Sequence, residues 1–225
     1  PLPLYLAVTV IGAGIVVGLF TYKSWKPLKF KDFAIITIAS LIAISLGNVV
    51  LLMGLKSVPA VNAALIGLFS PFLLFILSVE FFRERLNVRT FIGILIAFMG
   101  ALVIIGKPWQ SAAASQSVIT GNLLIVLAAL CDVTEMVMLK PVLKRVNSYQ
   151  LTTLNLIVGT LPVGIYALKY VHHLSPSVAG RSGYLAMGFN ILAIAAANCL
   201  FFYGLKVKKL QQVGIFNYVH PLATA

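Results

Sequence analysis

Residues 48–56 read Asn-Val-Val-Leu-Leu-Met-Gly-Leu-Lys, and residues 198–206 read Asn-Cys-Leu-Phe-Phe-Tyr-Gly-Leu-Lys. The second stretch is the first displaced by 150 positions, with no gap. The same offset carries Pro71 to Pro221, Lys31 to Arg181 and Ser40 to Asn190. A repeat dictates architecture before any single element does. Most other matched positions agree only in being apolar, so the Asn, the Gly-Leu-Lys triplets and the two prolines carry the repeat.

Composition names the solvent. With 60% hydrophobic residues, 10% charged residues and a mean hydropathy of +1.03, the chain has too little polar surface to cover a water-soluble globule. Apolar stretches of about 20 residues read as membrane-spanning helices. They fall near 3–22, 32–55, 59–82, 88–106, 119–140, 149–171 and 183–205, and a further apolar segment starts at 210. Membrane strands would be about half as long and would alternate, so the class is all-α.

Charge orients the spans. Of the 17 Lys and Arg, 13 fall in alternate loops, at Lys23, Lys26, Lys29, Lys31, Arg83, Arg85, Arg89, Lys140, Lys144, Arg145, Lys206, Lys208 and Lys209. The other loops hold 4, at Lys56, Lys107, Lys169 and Arg181. The positive-inside rule puts the first set in the cytoplasm. The formal +12 therefore needs no nucleic acid, whose footprint would gather cations on one face of a soluble domain.

An offset of 150 residues contains five spans, an odd number, so the second copy enters the membrane from the opposite side. Inverted repeats of this kind let two similar halves exchange conformations and expose a midplane site to each side in turn. The expectation is a first repeat at 1–107 and a second at 119–225. Two five-helix repeats need ten helices, and about seven full spans plus part of an eighth are visible. The reading is a fragment lacking the first helix of one repeat and the end of the other.

The run Gly-Leu-Lys-Ser-Val-Pro-Ala at 54–60, then Ser70-Pro71, then Arg83-Glu84-Arg85-Leu86, then Gly93 to Gly106, resembles the EamA-like domain of the drug/metabolite transporter (DMT) superfamily. Arg83 stands where that pattern usually has glycine. The resemblance implies a ten-helix bundle of two inverted five-helix repeats with both termini cytoplasmic. It also implies a central cavity and export of amino acids, metabolites or drugs.

Several residues are candidates for substrate binding or coupling. Asp132 and Glu135 share a helix face at i and i+3, and Asp132 lies about 3 Å of rise past the span midpoint. Intramembrane acids usually face a cavity or a partner; the competing role is a structural pairing for Asp132 and an interfacial position for Glu135. Asn48 and Asn198 are matched by the repeat and would flank a midplane site or fasten helices together. Thr152, Asn155, Gly159, Pro162 and Tyr166 form one stripe, and Tyr5, Thr9 and Gly12 another; such stripes are more often helix contacts than ligand sites. Pro71 and Pro221 would break helices near a site. His220 is a proton relay or a packing histidine.

Cys131 and Cys199 read as small buried hydrophobes, and Glu84 as a helix cap among arginines. No cofactor or metal motif appears, and no phosphate-cradling Gly-rich loop ending in Lys-Ser/Thr. The expected function is secondary-active transport, most simply export of small metabolites from a bacterial inner membrane. Its partners would be a small-molecule substrate, the lipid bilayer and protons as a coupling ion, with a homodimer compatible. The alternatives are a sugar-nucleotide or phosphate antiporter of the same superfamily, and a membrane-embedded enzyme using Asp132 and Glu135. The enzyme reading lacks any accompanying nucleophile or metal cluster.

Overall fold

The computed structural model describes residues 2–58, 70–82, 116–169 and 176–208, with further helical residues at 66–67, 88–89, 91–93, 95–96, 99 and 212–213. Every regular element among them is helical. In chain order these are α1 (Leu2–Thr21), a 3-10 turn (Tyr22–Ser24), α2 (Phe30–Ser40), a π turn (Leu41–Gly47) and α3 (Asn48–Leu55). Then come α4 (Ser70–Phe82), α5 (Gln116–Leu143), α6 (Ser148–Ala167) and α7 (Pro176–Val207).

The helices form for membrane reasons. Backbone N–H and C=O groups find no water in hydrocarbon, so each span must satisfy them internally. Among the described residues, five helical spans are long and apolar enough to cross: Leu4–Ser24, Phe30–Leu55, Ser117–Leu143, Ser148–Ala167 and Gly183–Val207. The second joins α2, the π turn and α3 without interruption. Large apolar side chains lie bare on these helices, Phe20 and Phe189 at 86% and 75% exposure. That is tolerable where the surrounding solvent is lipid.

The chain divides into two units. One is Pro1–Ser45 with Met138–Lys206, the other Leu46–Val137 with Val207–Ala225.

In the first unit α1 and α6 pack side by side. Gly14 lies against Leu156 and Ile157, Gly18 against Thr153, and Gly164 against Ile11. Leu4 and Ala7 meet Ala167 at the other end of the seam. Rising α1 numbers meet falling α6 numbers, so the two helices are antiparallel. A β-carbon at Gly14 would sit 2.7 Å from Ile157 Cγ1, so the small residue is what allows the approach. Ala13, Val17, Leu156 and Ala195 close a core between α1, α6 and α7.

On the other flank α2 packs on α6, where Gly159 lies against Ile44 and the Ser40 carbonyl. Here Ser40 pairs with Asn155 and Ile44 with Gly159, both numbers rising together. These two helices are therefore parallel. At one end of the unit Lys140 Nζ donates to the Leu205 carbonyl at 3.2 Å, and Lys206 Nζ donates to the Val146 carbonyl at 3.0 Å. Lys140 thus caps a carbonyl in the last turn of α7, which the helix end leaves without an intrahelical donor, and Lys206 binds a carbonyl in the connection after α5.

In the second unit the end of α3 packs on the start of α5. A β-carbon at Gly54 would lie 2.9 Å from the Gly121 carbonyl, and one at Gly121 would lie 3.1 Å from the Gly54 carbonyl. The contact is backbone to backbone. On α4, Leu74 and Phe75 are buried, and the Phe75 ring meets Phe91 with centroids 5.5 Å apart.

Candidate functional site

Polar side chains in the first unit collect on the helix seams. Asn155, at 2% exposure on α6, donates from Nδ2 to Ser40 Oγ on α2 at 3.0 Å. That hydroxyl in turn donates to the Ile36 carbonyl at 2.7 Å. On the α1–α7 side, Asn190 Nδ2 donates to Tyr5 Oη at 2.7 Å. Thr9 is buried beneath Tyr5, its hydroxyl donating to the Tyr5 carbonyl at 2.8 Å.

These two interhelical bonds join the same pair of repeat positions, with donor and acceptor exchanged. Residue 5 plus 150 is 155, and residue 40 plus 150 is 190. Exchanging each residue for its repeat mate turns the pair Tyr5–Asn190 into the pair Asn155–Ser40. The helices that carry them obey the same exchange, since α1 maps onto α6 and α2 onto α7. The α1–α6 seam is accordingly packed by mates of each other.

Just after Ser40 the backbone of the second span is unusual. A π turn occupies Leu41–Gly47, a rare geometry frequent at functional sites. Within it Ser45 Oγ donates to the Gly159 carbonyl of α6. That carbonyl lies in the turn preceding Pro162, which supplies no N–H to the α6 ladder. The hydroxyls of Thr37 and Thr160, on these same two helices, are buried and make no hydrogen bond among the described residues. The region therefore offers polar capacity inside an apolar bundle. A groove of about 540 Å³ beside the α1–α6 seam, lined by Leu4, Val8, Ile11, Ile15, Leu161 and Ile165 among others, is wholly apolar and offers none.

The sequence-expected residues fare differently. Tyr5 and Asn155 enter the paired bonds. Asn198 is half-buried and donates back to the Ile194 carbonyl of its own helix at 2.9 Å, while Asn48 is exposed at the start of α3. Asp132 is exposed and Glu135 half-buried, one turn apart on α5. Tyr166 is half exposed near the end of α6, with Lys169 Nζ 5.5 Å from its ring centroid, which is an interfacial arrangement. Pro162 and Tyr166 are exposed where Thr152, Asn155 and Gly159 are buried, so that stripe is not one face in the packing sense.

Pro71 is buried in α4, whose described residues begin at Ser70. Pro221, His220, Glu84, His172 and His173 lie outside the described residues, as does most of the stretch from Gly93 to Gly106. Cys131 is buried and Cys199 half-buried, both free. Among the described residues no three His, Cys, Asp or Glu side chains gather as a metal site.

One feature was legible only in the structure. Asp32, in the first turn of α2 and 4% exposed, accepts a hydrogen bond from Arg145 Nη2 at 2.6 Å. Beside it, Gln150 holds the backbone of Lys26 with both ends of its amide, accepting from the N–H at 3.1 Å and donating to the carbonyl at 3.0 Å. Asn147 donates to the Ser24 carbonyl at 3.1 Å and caps α6 by accepting from the Tyr149 N–H at 3.1 Å. The loop after α1 and the loop after α5 are thereby stapled together. The available signal was Asp32 itself, the only acid before Glu80, set among Lys29 and Lys31.

Comparison with known proteins agrees with this architecture. The model of the EamA-like transporter family matches residues 1–106 and again 119–225. The chain is 24% identical over 206 residues to the uncharacterized transporter YetK of Bacillus subtilis (strain 168), covering 89% of this chain and 61% of the relative. It is 29% identical over 107 residues to an uncharacterized transporter of Methanothermobacter thermautotrophicus, covering 48% of this chain and 31% of the relative. An uncharacterized transporter of Archaeoglobus fulgidus matches at 27% over 138 residues, covering 61% and 48%. The chain thus spans less than two thirds of each of these relatives. A solved crystal structure superposes on 99% of this chain and 77% of its own with a TM-score of 0.81 at 19% identity, a shared fold. This integral, multi-pass, all-α membrane chain belongs to the EamA-like transporter family.

Proposed function

We propose that the protein is a secondary-active carrier that exports small metabolites, such as amino acids or drugs, by alternating access between two inverted repeats. The observation that supports this is the exchange of Tyr5–Asn190 for Asn155–Ser40 about an antiparallel α1–α6 seam. Halves of opposite orientation that hold equivalent contacts can trade conformations at modest free-energy difference, which is what alternating access requires.

In this reading the polar seams and the π turn mark the wall of the pathway. Tyr5, Asn155, Asn48 and Asn198 are the candidate solute contacts. Asp132 and Glu135 are the candidate coupling carboxyls, since an acid within a span can take a proton on one side and release it on the other. Pro71 and Pro221 are the candidate helix breaks near the site, with Tyr166 and His220 as further candidates. Among the described residues no Lys or Arg lies in mid-span, which favours solutes without a phosphate group over a sugar-nucleotide or phosphate antiporter.

The test is solute flux in proteoliposomes made with the full-length protein. Efflux or counterflow of labelled amino acids or small drugs, accelerated by an opposing proton gradient, is the expected result. Protein that is inserted and folded but moves none of these solutes under any gradient would sink the proposal. Exchange of phosphorylated solutes alone would transfer it to the antiporter reading.

A further inference from the structure

The two stapled loops bring together charges that are far apart in sequence. Lys23, Lys26 and Lys29 come from the connection after α1, Lys31 from the first turn of α2, and Lys144 and Arg145 from the connection after α5. All six are exposed. The Lys26–Gln150 and Ser24–Asn147 hydrogen bonds fix one connection on the other, so the cations form one surface. The only carboxylate on these segments is Asp32, in the first turn of α2, and it is buried against Arg145. Five lysines are left without an acid on their own segments to neutralise them.

Aromatic side chains border the same surface. Tyr22, Trp25 and Phe30 are exposed, Phe30 at 85%, and Lys23 Nζ lies 6.0 Å from the Tyr22 ring centroid. Exposed aromatics at the end of a span sit at headgroup depth. A cluster of four to eight cations just beyond such a span attracts anionic lipid, by about 1 kcal/mol for each cation near the surface.

We propose that this platform is a binding site for anionic phospholipid headgroups. The lysine ammonium groups contact the phosphates, and the Asp32–Arg145 and Gln150 staples hold the two loops in the binding arrangement. The staples matter because a loose pair of loops would lose conformational entropy on gathering around one headgroup, and this pair is already gathered.

The experiment uses the full-length protein in nanodiscs of phosphatidylcholine alone and of phosphatidylcholine with phosphatidylglycerol in equal parts. Thermal unfolding and native mass spectrometry of retained lipid are the readouts. The expected result is a higher unfolding midpoint with phosphatidylglycerol and retained phosphatidylglycerol in preference to phosphatidylcholine. Both should be lost at about 1 M salt, where the screening length falls to about 3 Å.

Lys31→Gln and Lys144→Gln should each lower retention about fivefold, while Lys31→Arg and Lys144→Arg keep it. Lys56→Gln and Lys169→Gln, in the sparsely charged loops, serve as controls. Equal stability and retention in both lipids, or a preference that survives the Gln variants, would overturn the proposal. Stabilisation by inorganic phosphate added to phosphatidylcholine discs, equal to that by the lipid, would assign the site to a soluble anion and likewise overturn it.

Discussion

Asn155 donates to Ser40 across the α2–α6 seam at 3.0 Å, and the residues 150 positions away along the repeat, Tyr5 and Asn190, make the equivalent bond across the α1–α7 seam. Chemistry differs at both corners, where tyrosine answers asparagine and asparagine answers serine, and the donor passes to the other mate. Geometry is kept nonetheless, because both bonds join a mate of one helix to a mate of the other.

Removing either bond should have a similar cost. Asn155→Leu and Asn190→Leu keep side-chain volume and delete the donor, so each should lower stability by about 0.6 kcal/mol, with about 1.7 kcal/mol as the upper end for such bonds in membranes. Ser40 still donates to Ile36 after the loss, which limits the penalty at the buried site. Thermal unfolding in detergent measures this. A flux defect far larger than the stability loss would place the asparagines on the solute pathway.

The ion pair should respond asymmetrically. Arg145→Gln strands a buried carboxylate, whereas Asp32→Asn leaves a half-exposed guanidinium that water can reach. The first is expected to destabilise by about 1–3 kcal/mol, the lower end for breaking a buried pair because Arg145 is partly solvated, and the second by less. Unfolding midpoints of the two variants rank them. Equal midpoints would mean that Asp32 is better solvated than its burial indicates.

Gly54 and Gly204 are matched by the repeat but not by environment. A methyl at Gly54 would press on the Gly121 carbonyl, a backbone atom, and Gly54→Ala should cost about 1–3 kcal/mol. At Gly204 no described residue lies within 4 Å of the added carbon, so Gly204→Ala should be neutral or stabilising by up to about 1 kcal/mol through helix propensity. The comparison is made by unfolding in one detergent.

Orientation has a direct check. A single cysteine at Ser24 should be shielded from impermeant thiol reagents added outside, and one at Ser57 should react. Both positions are exposed in the structure, so access depends only on the side of the membrane. The reverse pattern would invert the charge reading and the assignment of the stapled loops to the cytoplasm.

Asp132→Asn should strongly reduce proton-driven transport while insertion is unchanged, and Glu135→Gln should be milder. Proton-coupled flux at several pH values, set beside expression level, measures it. Normal transport with an unchanged pH profile would remove Asp132 from the coupling role and leave it a surface residue of α5.

The all-α membrane class and the register of the repeat were readable because they rest on additive quantities, summed hydropathy and a constant offset of 150, and the proposed orientation rests likewise on counted charge. Each survives ignorance of which helices touch. Tyr5 and Asn155 were visible as members of polar stripes, and Ser40 and Asn190 as repeat mates, yet their partners were not. Pairing depends on which faces of helices more than a hundred residues apart come within about 3 Å, and periodicity on one helix carries no such information.

The same holds for Asp32. Its sequence neighbours Lys29 and Lys31 suggest a local pair, but tertiary packing delivers Arg145 and buries the carboxylate there. The π turn at Leu41–Gly47 is likewise a tertiary outcome, since the extra residue in that turn lies where Ser45 reaches the Gly159 carbonyl of a neighbouring helix. Gly54 and Gly204 make the limit plain. Identical triplets fold into the same kind of helix end, and the close approach of α5 at Gly54, with no described neighbour at Gly204, is what sets the two glycines apart.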